Sequence, residues 1–281
     1  MPAVRRTPSE LPTRKTKASS VILNKFNKKF SPRQYGNGLF EIKLSSWKQF
    51  TDVIQVRGLR KNNLLYRGQT VAHWELKPSL FRGIDDVDEE ENLSRDQLQQ
   101  FKMASRGRCS AGMNDFGDTW WALGQHMGLR TPLLDWTTSP YVALFFAFAE
   151  IYDFEDTDMR VVYVLDRSEI EAKSQTNRHE YGSNEWSISF IEPFSHENGR
   201  IVGQSGLFSM SPPGWSIEEW VNDEFDEQAN KLACIKILIP EIDRANCLRH
   251  LNRMNINYLS LFPDLEGAAK HCNLSRDIRG Y

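Results

Sequence analysis

Thr131-Pro132-Leu133-Leu134-Asp135-Trp136-Thr137-Thr138-Ser139-Pro140-Tyr141-Val142-Ala143-Leu144-Phe145-Phe146-Ala147-Phe148-Ala149 is the most informative segment of the chain. Its first half, Thr131 to Ser139, reads as extended. Pro140 sits where a helix can open, because its missing N–H would be unsatisfied at the first helical position anyway. Tyr141 to Ala149 then forms a helix that is apolar almost all round, and such a helix is buried. The hydroxyls at the joint suit an anion or a polar sugar edge, since free backbone N–H groups and the helix dipole point there. Capping of the helix by Thr138 or Ser139 is the competing account, and it explains one hydroxyl.

Working outward, Trp120 to Met127 reads as an apolar helical stretch that stops at Gly128. Upstream, Leu64-Leu65-Tyr66-Arg67-Gly68 is a short apolar run ending at Gly, which predicts a buried strand. Trp47 to Leu59 and Asp96 to Met103 have helical spacing, and Asp85 to Glu91 is an acidic loop or helix start. Downstream, Val161 to Leu165, Trp186 to Ile191 and Arg200 to Phe208 predict strands. Leu232 to Ile239 is the strongest strand signal and is closed by Pro240. Arg244 to Met254 reads as helix and Asn257 to Leu261 as a short strand. Strands and helices are mixed without regular alternation, which predicts an α+β fold with a mixed sheet.

The formal net charge is −2, from 35 Lys+Arg and 37 Asp+Glu in 281 residues. That mean hides a division. Residues 1–34 carry nine basic residues against Glu10, a net +8, and the remainder carries −10. The leader is polar, basic and interrupted by proline. It cannot bury enough apolar surface to offset ordering entropy, so it is expected to lack fixed structure. Residues 35–281 are expected to form one domain. A +8 tail can contact nucleic-acid phosphates electrostatically; a solubilising extension is the alternative. No run approaches the roughly 18–20 apolar residues of a membrane helix, and no secretory signal is read at the N-terminus. The four cysteines are scattered, which suits inert thiols in a reducing cytoplasm and no zinc site.

Three segments concentrate chemistry. In Tyr66-Arg67-Gly68-Gln69, followed by Trp74, Leu76 and Arg82, an Arg ends a buried strand. A buried guanidinium is costly unless paired, so either a carboxylate such as Asp135 or a bound anion should meet it. Gly68 permits close approach of a ligand or of backbone. The second segment is Gly124-Gln125-His126-Met127-Gly128, running into Asp135, Trp136 and the hydroxyls before the helix. The third is Gly203-Gln204-Ser205-Gly206, either a strand kink or a place of close backbone approach. A Walker phosphate loop, the dinucleotide fingerprint, His-Glu-x-x-His and the Gly-x-Ser-x-Gly elbow are all absent from the sequence.

Together these segments resemble the FRG domain family, named for its Phe/Tyr-Arg-Gly motif. The carrying residues are Tyr66 to Gln69 with Trp74, Leu76 and Pro78 to Leu80; Gln125, His126 and Gly128; Leu133 to Thr137; and Ser139, Ala143, Leu144, Phe146 and Ala147. Gln204, Gly206, Phe208, Ile239-Pro240 and Leu261 to Asp264 continue the match. One departure is clear. Where the family usually reads Pro-Thr-Arg before Leu-Leu-Asp-Trp, this chain has Arg130-Thr131-Pro132.

A second, weaker resemblance is to the Arg–Ser–Glu layout of ADP-ribosyltransferases, which implies a split β-sheet core with flanking helices and NAD as substrate. In that layout Arg67 would hold a phosphate or ribose of NAD. Thr138 and Ser139 would orient the nicotinamide ribose, and Gln204 would occupy the place of the Glu. The implied catalytic residues are Arg67, Ser139 and Gln204. Tyr66, Gly68, Gln69, His126, Asp135, Trp136 and Thr138 would bind the nucleotide. Gln cannot supply negative charge to a developing cation, so Glu192, Glu218 or Glu219 would have to reach the site for turnover. The resemblance implies a toxin or phage-defence transferase, or a module that binds a nucleotide or nucleic acid without chemistry.

Overall fold

The structure is a computed structural model that describes residues 7–12, 15–26, 29–108, 117–151, 158–181, 186–192, 206–226 and 230–281. Its strands are β1 (Thr16–Lys17), β2 (Arg33–Gly36), β3 (Leu39–Lys43), β4 (Leu64–Gln69), β5 (Leu134–Thr137), β6 (Met159–Asp166), β7 (Ser189–Ile191), β8 (Gly206–Met210) and β9 (Cys234–Pro240). They form one sheet in the order β1-β2-β3-β9-β6-β4-β5-β8-β7. Only β3 and β9 run parallel, with Leu39 opposite Cys234; every other neighbouring pair is antiparallel. The helices are α1 (Ser20–Leu23), α2 (Phe50–Ile54), α3 (Val87–Ala104), α4 (Gly117–His126), α5 (Pro140–Ala149), α6 (Arg167–Tyr181), α7 (Ile217–Glu224), α8 (Arg244–Arg253), α9 (Tyr258–Leu261) and α10 (Leu265–Asp277). The fold is mixed α+β, as the sequence predicts.

The central strand β6 shows why its run is uniformly apolar. Val162 and Val164 face a core shared with α5, α8 and α9. Val161, Tyr163 and Leu165 face the opposite core, built with Ile170 of α6 and Ile217, Trp220 and Val221 of α7. A strand covered on both faces loses the polar alternation of a half-exposed one. A third, smaller cluster, including Phe81, Trp121, Leu133 and Phe208, fills the space between α4 and the β5–β8 end of the sheet. Among the described residues no helix is long and apolar enough to cross a membrane.

Three expectations change. Within residues 1–34, described segments are built into the fold. β1 and β2 join the sheet, and Ala18, Ile22, Phe26 and Phe30 are buried in the main core. These four apolar residues recur every fourth position between basic ones, so mean composition conceals them. Asn257 to Leu261 is not a strand. The Asn257 side chain accepts from the Ser260 N–H, and Ser260 reciprocates, so a capping box opens α9. Helices α6, α7 and α10 were not foreseen. Apolar residues are sparse in α6 and α10, and in α7 the apolar stripe is short.

Candidate functional site

The site arises where the sheet parts. Strands β4 and β5 share a single register pair, Tyr66 opposite Thr137. From there β4 stays with β6 as far as Gln69 opposite Val161. Strand β5 stays with β8 from Thr137 opposite Gly206 to Leu134 opposite Ser209. The gap holds a cavity of about 340 Å³, lined by Tyr66, Arg67 and Gly68 of β4 and by Asp135, Trp136 and Thr137 of β5. Gln125 and His126 close it from the end of α4; Gly206, Leu207 and Phe208 of β8, Phe146 of α5 and Phe262 complete the wall. A volume at the small end of the ligand-pocket range, with aromatic walls and a few convergent polar groups, is the usual build of a binding site.

Arg67 dominates its electrostatics. Its Nη1 donates to the Asp135 backbone carbonyl at 2.9 Å, in the gap the two strands leave. The Asp135 carboxylate is farther, at 3.5 Å, and is itself 56% exposed against 15% for Arg67. The Arg67 Nε is buried and has no hydrogen-bond partner. Burial pulls the Arg67 pKa down; Asp135 opposes this and the charge of Arg82 adds to it. An incompletely paired, partly buried cation of this kind is a functional-site candidate.

The second polar arm comes from α4. Gly128 takes a positive φ of 83°, which ends the helix and turns the chain back. The turn is tied by the Leu129 N–H to the Gly124 carbonyl at 2.8 Å. It lays the fully buried Thr131 beneath Gln125, where the Thr131 hydroxyl donates to Gln125 Oε1. Gln125 is thereby oriented so that Nε2 donates to Asp135 Oδ2 at 2.8 Å. Trp136 is fixed on the other face of β5, its Nε1 donating to Ser209 Oγ at 2.8 Å.

Gly68 lines the cavity on one side and receives α5 on the other. A Cβ there would overlap the Ala143 carbonyl oxygen and crowd the Ala147 nitrogen. The close approach that Gly68 allows is therefore, first, that of helix backbone.

Residues 62–156 match the model of the FRG domain. The chain carries an FRG domain. No curated protein and no solved structure matches the chain. The FRG segment supplies β4, α4, β5 and α5, and so most of the cleft wall; β8 and Phe262 come from beyond it.

Within this chain the residues singled out from sequence are sorted as follows. Tyr66, Arg67, Gly68, His126, Asp135 and Trp136 come together in the cleft. Gln69 does not; its side chain is buried and Nε2 donates to the Trp74 carbonyl at 2.8 Å, pinning the turn after β4. Ser139 is the N-cap of α5, accepting from the Val142 N–H at 3.4 Å. Thr138 is exposed, and neither lines the cleft. Thr137 is the hydroxyl that does, and Gln125 is the polar group not chosen from sequence. Gln204 lies outside the described residues. Arg130, of the exchanged Arg and Pro, is exposed and away from the lining.

None of the three candidate acids reaches the cleft. Glu192 pairs with Arg167 at 2.6 Å, Glu219 belongs to the capping box of α7, and Glu218 is buried against Lys236 at 2.7 Å. Asp135 is the one carboxylate among the described lining residues. A larger cavity of about 750 Å³ lies across the Phe81–Trp121–Phe208 cluster and contains none of the residues selected above. Its charged lining mixes both signs, Arg95 and Arg178 with Glu91, Asp118 and Glu171. Among the described residues there is no group of three metal-ligating side chains. Of the N-terminal basic residues, Lys15 pairs with Glu41 and Lys29 with Asp52, whereas Lys17 and Arg33 are exposed.

Proposed function

We propose that the cleft between β4 and β5 binds NAD or a related nucleotide, and that the protein is an ADP-ribosyltransferase-like FRG protein. The observation that carries the reading is Arg67: a partly buried guanidinium whose buried Nε has no partner, at the parting of a sheet, beside aromatic walls. An unfilled N–H on a partly buried cation suits a phosphate, which accepts charge-assisted hydrogen bonds. Tyr66, Phe146 and Phe208 offer faces for a nicotinamide or adenine ring. In the reaction, the bond between the ribose C1′ and the nicotinamide nitrogen breaks. Nicotinamide leaves with the bonding pair, and an acceptor nucleophile on a protein or nucleic acid forms the new bond to C1′ as it gives up its proton. A toxin or phage-defence role would follow from such transfer.

A specific observation supports a second reading, a module that holds the nucleotide without turnover. Ser139 is used as a cap, and the cleft carboxylate Asp135 is already engaged by Gln125 and Arg67. Little negative charge is left to stabilise a developing cation. Purified protein with labelled NAD and cell lysate separates the two. Nicotinamide release with label transfer, abolished by Arg67→Ala, establishes the transferase. Saturable binding with no release establishes the module, and absence of nucleotide binding overturns both. The exposed Lys17 and Arg33 leave the N-terminal segment able to meet nucleic-acid phosphates, a contact that steep salt dependence of DNA retention would reveal.

A further inference from the structure

The carboxylate of Asp135 is held by one oxygen. Gln125 Nε2 donates to Oδ2 at 2.8 Å, and the ion pair with Arg67 Nη1 is made to the same Oδ2 at 3.5 Å. Oδ1 accepts from nothing among the described residues. The side chain lines the cavity and is 56% exposed, so a ligand in the cleft can reach that oxygen. Two neighbouring side-chain acceptors are already filled. Gln125 Oε1 takes the Thr131 hydroxyl, and Thr137 Oγ1 takes the Ser139 N–H at 3.1 Å.

The grip on Oδ2 is set in advance. Thr131 Oγ1 accepts from the Leu133 N–H at 3.2 Å and spends its own proton on Gln125 Oε1, which turns Nε2 toward Asp135. A reversed amide would set oxygen against the carboxylate. An acceptor fixed in this way loses little freedom when a ligand arrives. Beside it, the buried Nε of Arg67 is a donor with no partner. The cleft therefore presents one unfilled donor and one unfilled acceptor, on side chains in contact at 3.5 Å. A phosphate suits the first and is repelled by the second, because like charges oppose each other. A hydroxyl carried on the same molecule as the phosphate suits the second. A ribosyl phosphate has both.

We infer that Asp135 Oδ1 receives a ribose hydroxyl, and that the cleft thereby selects ribosyl phosphates over ligands lacking the 2′ and 3′ hydroxyls. This rests on the nucleotide reading above and names what that site selects. Asp135 is then a binding residue with no part in bond breaking.

Calorimetric titration of the full chain tests it, with NAD, AMP, nicotinamide mononucleotide, the 2′,3′-dideoxy form of each mononucleotide, and ribose 5-phosphate. Loss of both hydroxyls should weaken mononucleotide binding to the wild type about tenfold, the low end for a hydrogen bond to a charged group that is half exposed. In Asp135→Ala the two forms should bind within about twofold of each other. The dideoxy form should bind that variant no more weakly than it binds the wild type, since a carboxylate that competes for Arg67 is gone. Equal weakening of both forms by Asp135→Ala would make Asp135 a prop for Arg67 and overturns the inference. Nucleotide binding to the wild type that ignores the hydroxyls overturns it without any variant and leaves the nucleotide reading standing. Ribose 5-phosphate binding that Asp135→Ala weakens about tenfold, with no nucleotide bound, does the reverse. A wild type that binds none of these overturns both.

Discussion

Two charges are set into the same side of this sheet, one buried and one partly buried, and they are treated in opposite ways. Glu218 of α7 is 1% exposed and fully served. It pairs with Lys236 at 2.7 Å, accepts from the Tyr35 hydroxyl at 3.0 Å, and accepts from the Tyr163 hydroxyl and the Leu76 N–H, each at 3.4 Å. Arg67, on the strand beyond Tyr163, has one good bond to a carbonyl, a long ion pair to an exposed carboxylate, and an Nε with nothing. A buried charge is retained either because the fold has completed it or because something outside the fold will. Glu218 is the first case. It ties β2, β6, β9, α7 and the loop before Leu76 together. On the proposed function, Arg67 is the second.

Removing each charge is the strongest way to break this contrast. Glu218→Ala strips Lys236 of its partner and leaves two tyrosine hydroxyls with less to donate to. It should cost about 3–5 kcal/mol, as breaking buried pairs does, with the residual exposure of Lys236 drawing it to the lower end. Arg67→Met keeps the length and apolar stem but deletes a cation that the fold does not complete. It should change stability by less than about 1 kcal/mol and abolish ligand binding. Urea unfolding read against nucleotide titration checks both. Equal destabilisation by the two substitutions would make Arg67 a structural ion-pair residue like Glu218.

The same network makes a prediction for alkaline solution. Burial, then the charge of Glu218, raises the pKa of Tyr35 and of Tyr163 well above the usual value near 10. In the unfolded chain these phenols ionise near 10, whereas in the folded chain they stay neutral. Their contribution is complete below pH 10 and is lost as pH rises, on the order of 1 kcal/mol per tyrosine by pH 11. Tyr66, at the cleft, is pushed up to about 12 by burial and adds to the loss in the same window. Thermal melting between pH 9 and pH 11, with phenolate absorbance followed in parallel, measures it. Tyrosines that titrate near pH 10 without unfolding would mean that the Glu218 pocket is open to solvent.

The contrast also marks what could be read from sequence. Leu64 to Gly68, Val161 to Leu165, Leu232 to Ile239 and the Pro140 helix were legible because burial on both sides leaves a mostly apolar run. Arg67 was legible for the converse reason, a charge at the end of such a run. Glu218 was not, since its partners Tyr35, Tyr163 and Lys236 come from distant strands. Ser139 shows the limit of local chemistry. A hydroxyl before a helix fits an anion site and a cap equally well, and the structure uses it as the cap. Gln125 was quoted within a motif, but its task depends on Thr131 and Asp135 being folded against it.

Gln125 therefore supplies the smallest and most discriminating test. Its amide holds Asp135 from one side while Arg67 draws the same carboxylate from the other. With Gln125→Leu, Asp135 is freed to swing onto Arg67 and complete it internally, which should weaken ligand binding by a few-fold. Stability should fall by about 1 kcal/mol, mostly because the buried Thr131 hydroxyl loses its acceptor. The pairing of Gln125→Leu with Thr131→Val separates the two effects. Thr131→Val also takes the acceptor from the Leu133 N–H at 3.2 Å, so stability should recover only in part while affinity stays low. If affinity recovers along with stability, Gln125 serves the packing under α4 and has no part in keeping Arg67 available to a ligand.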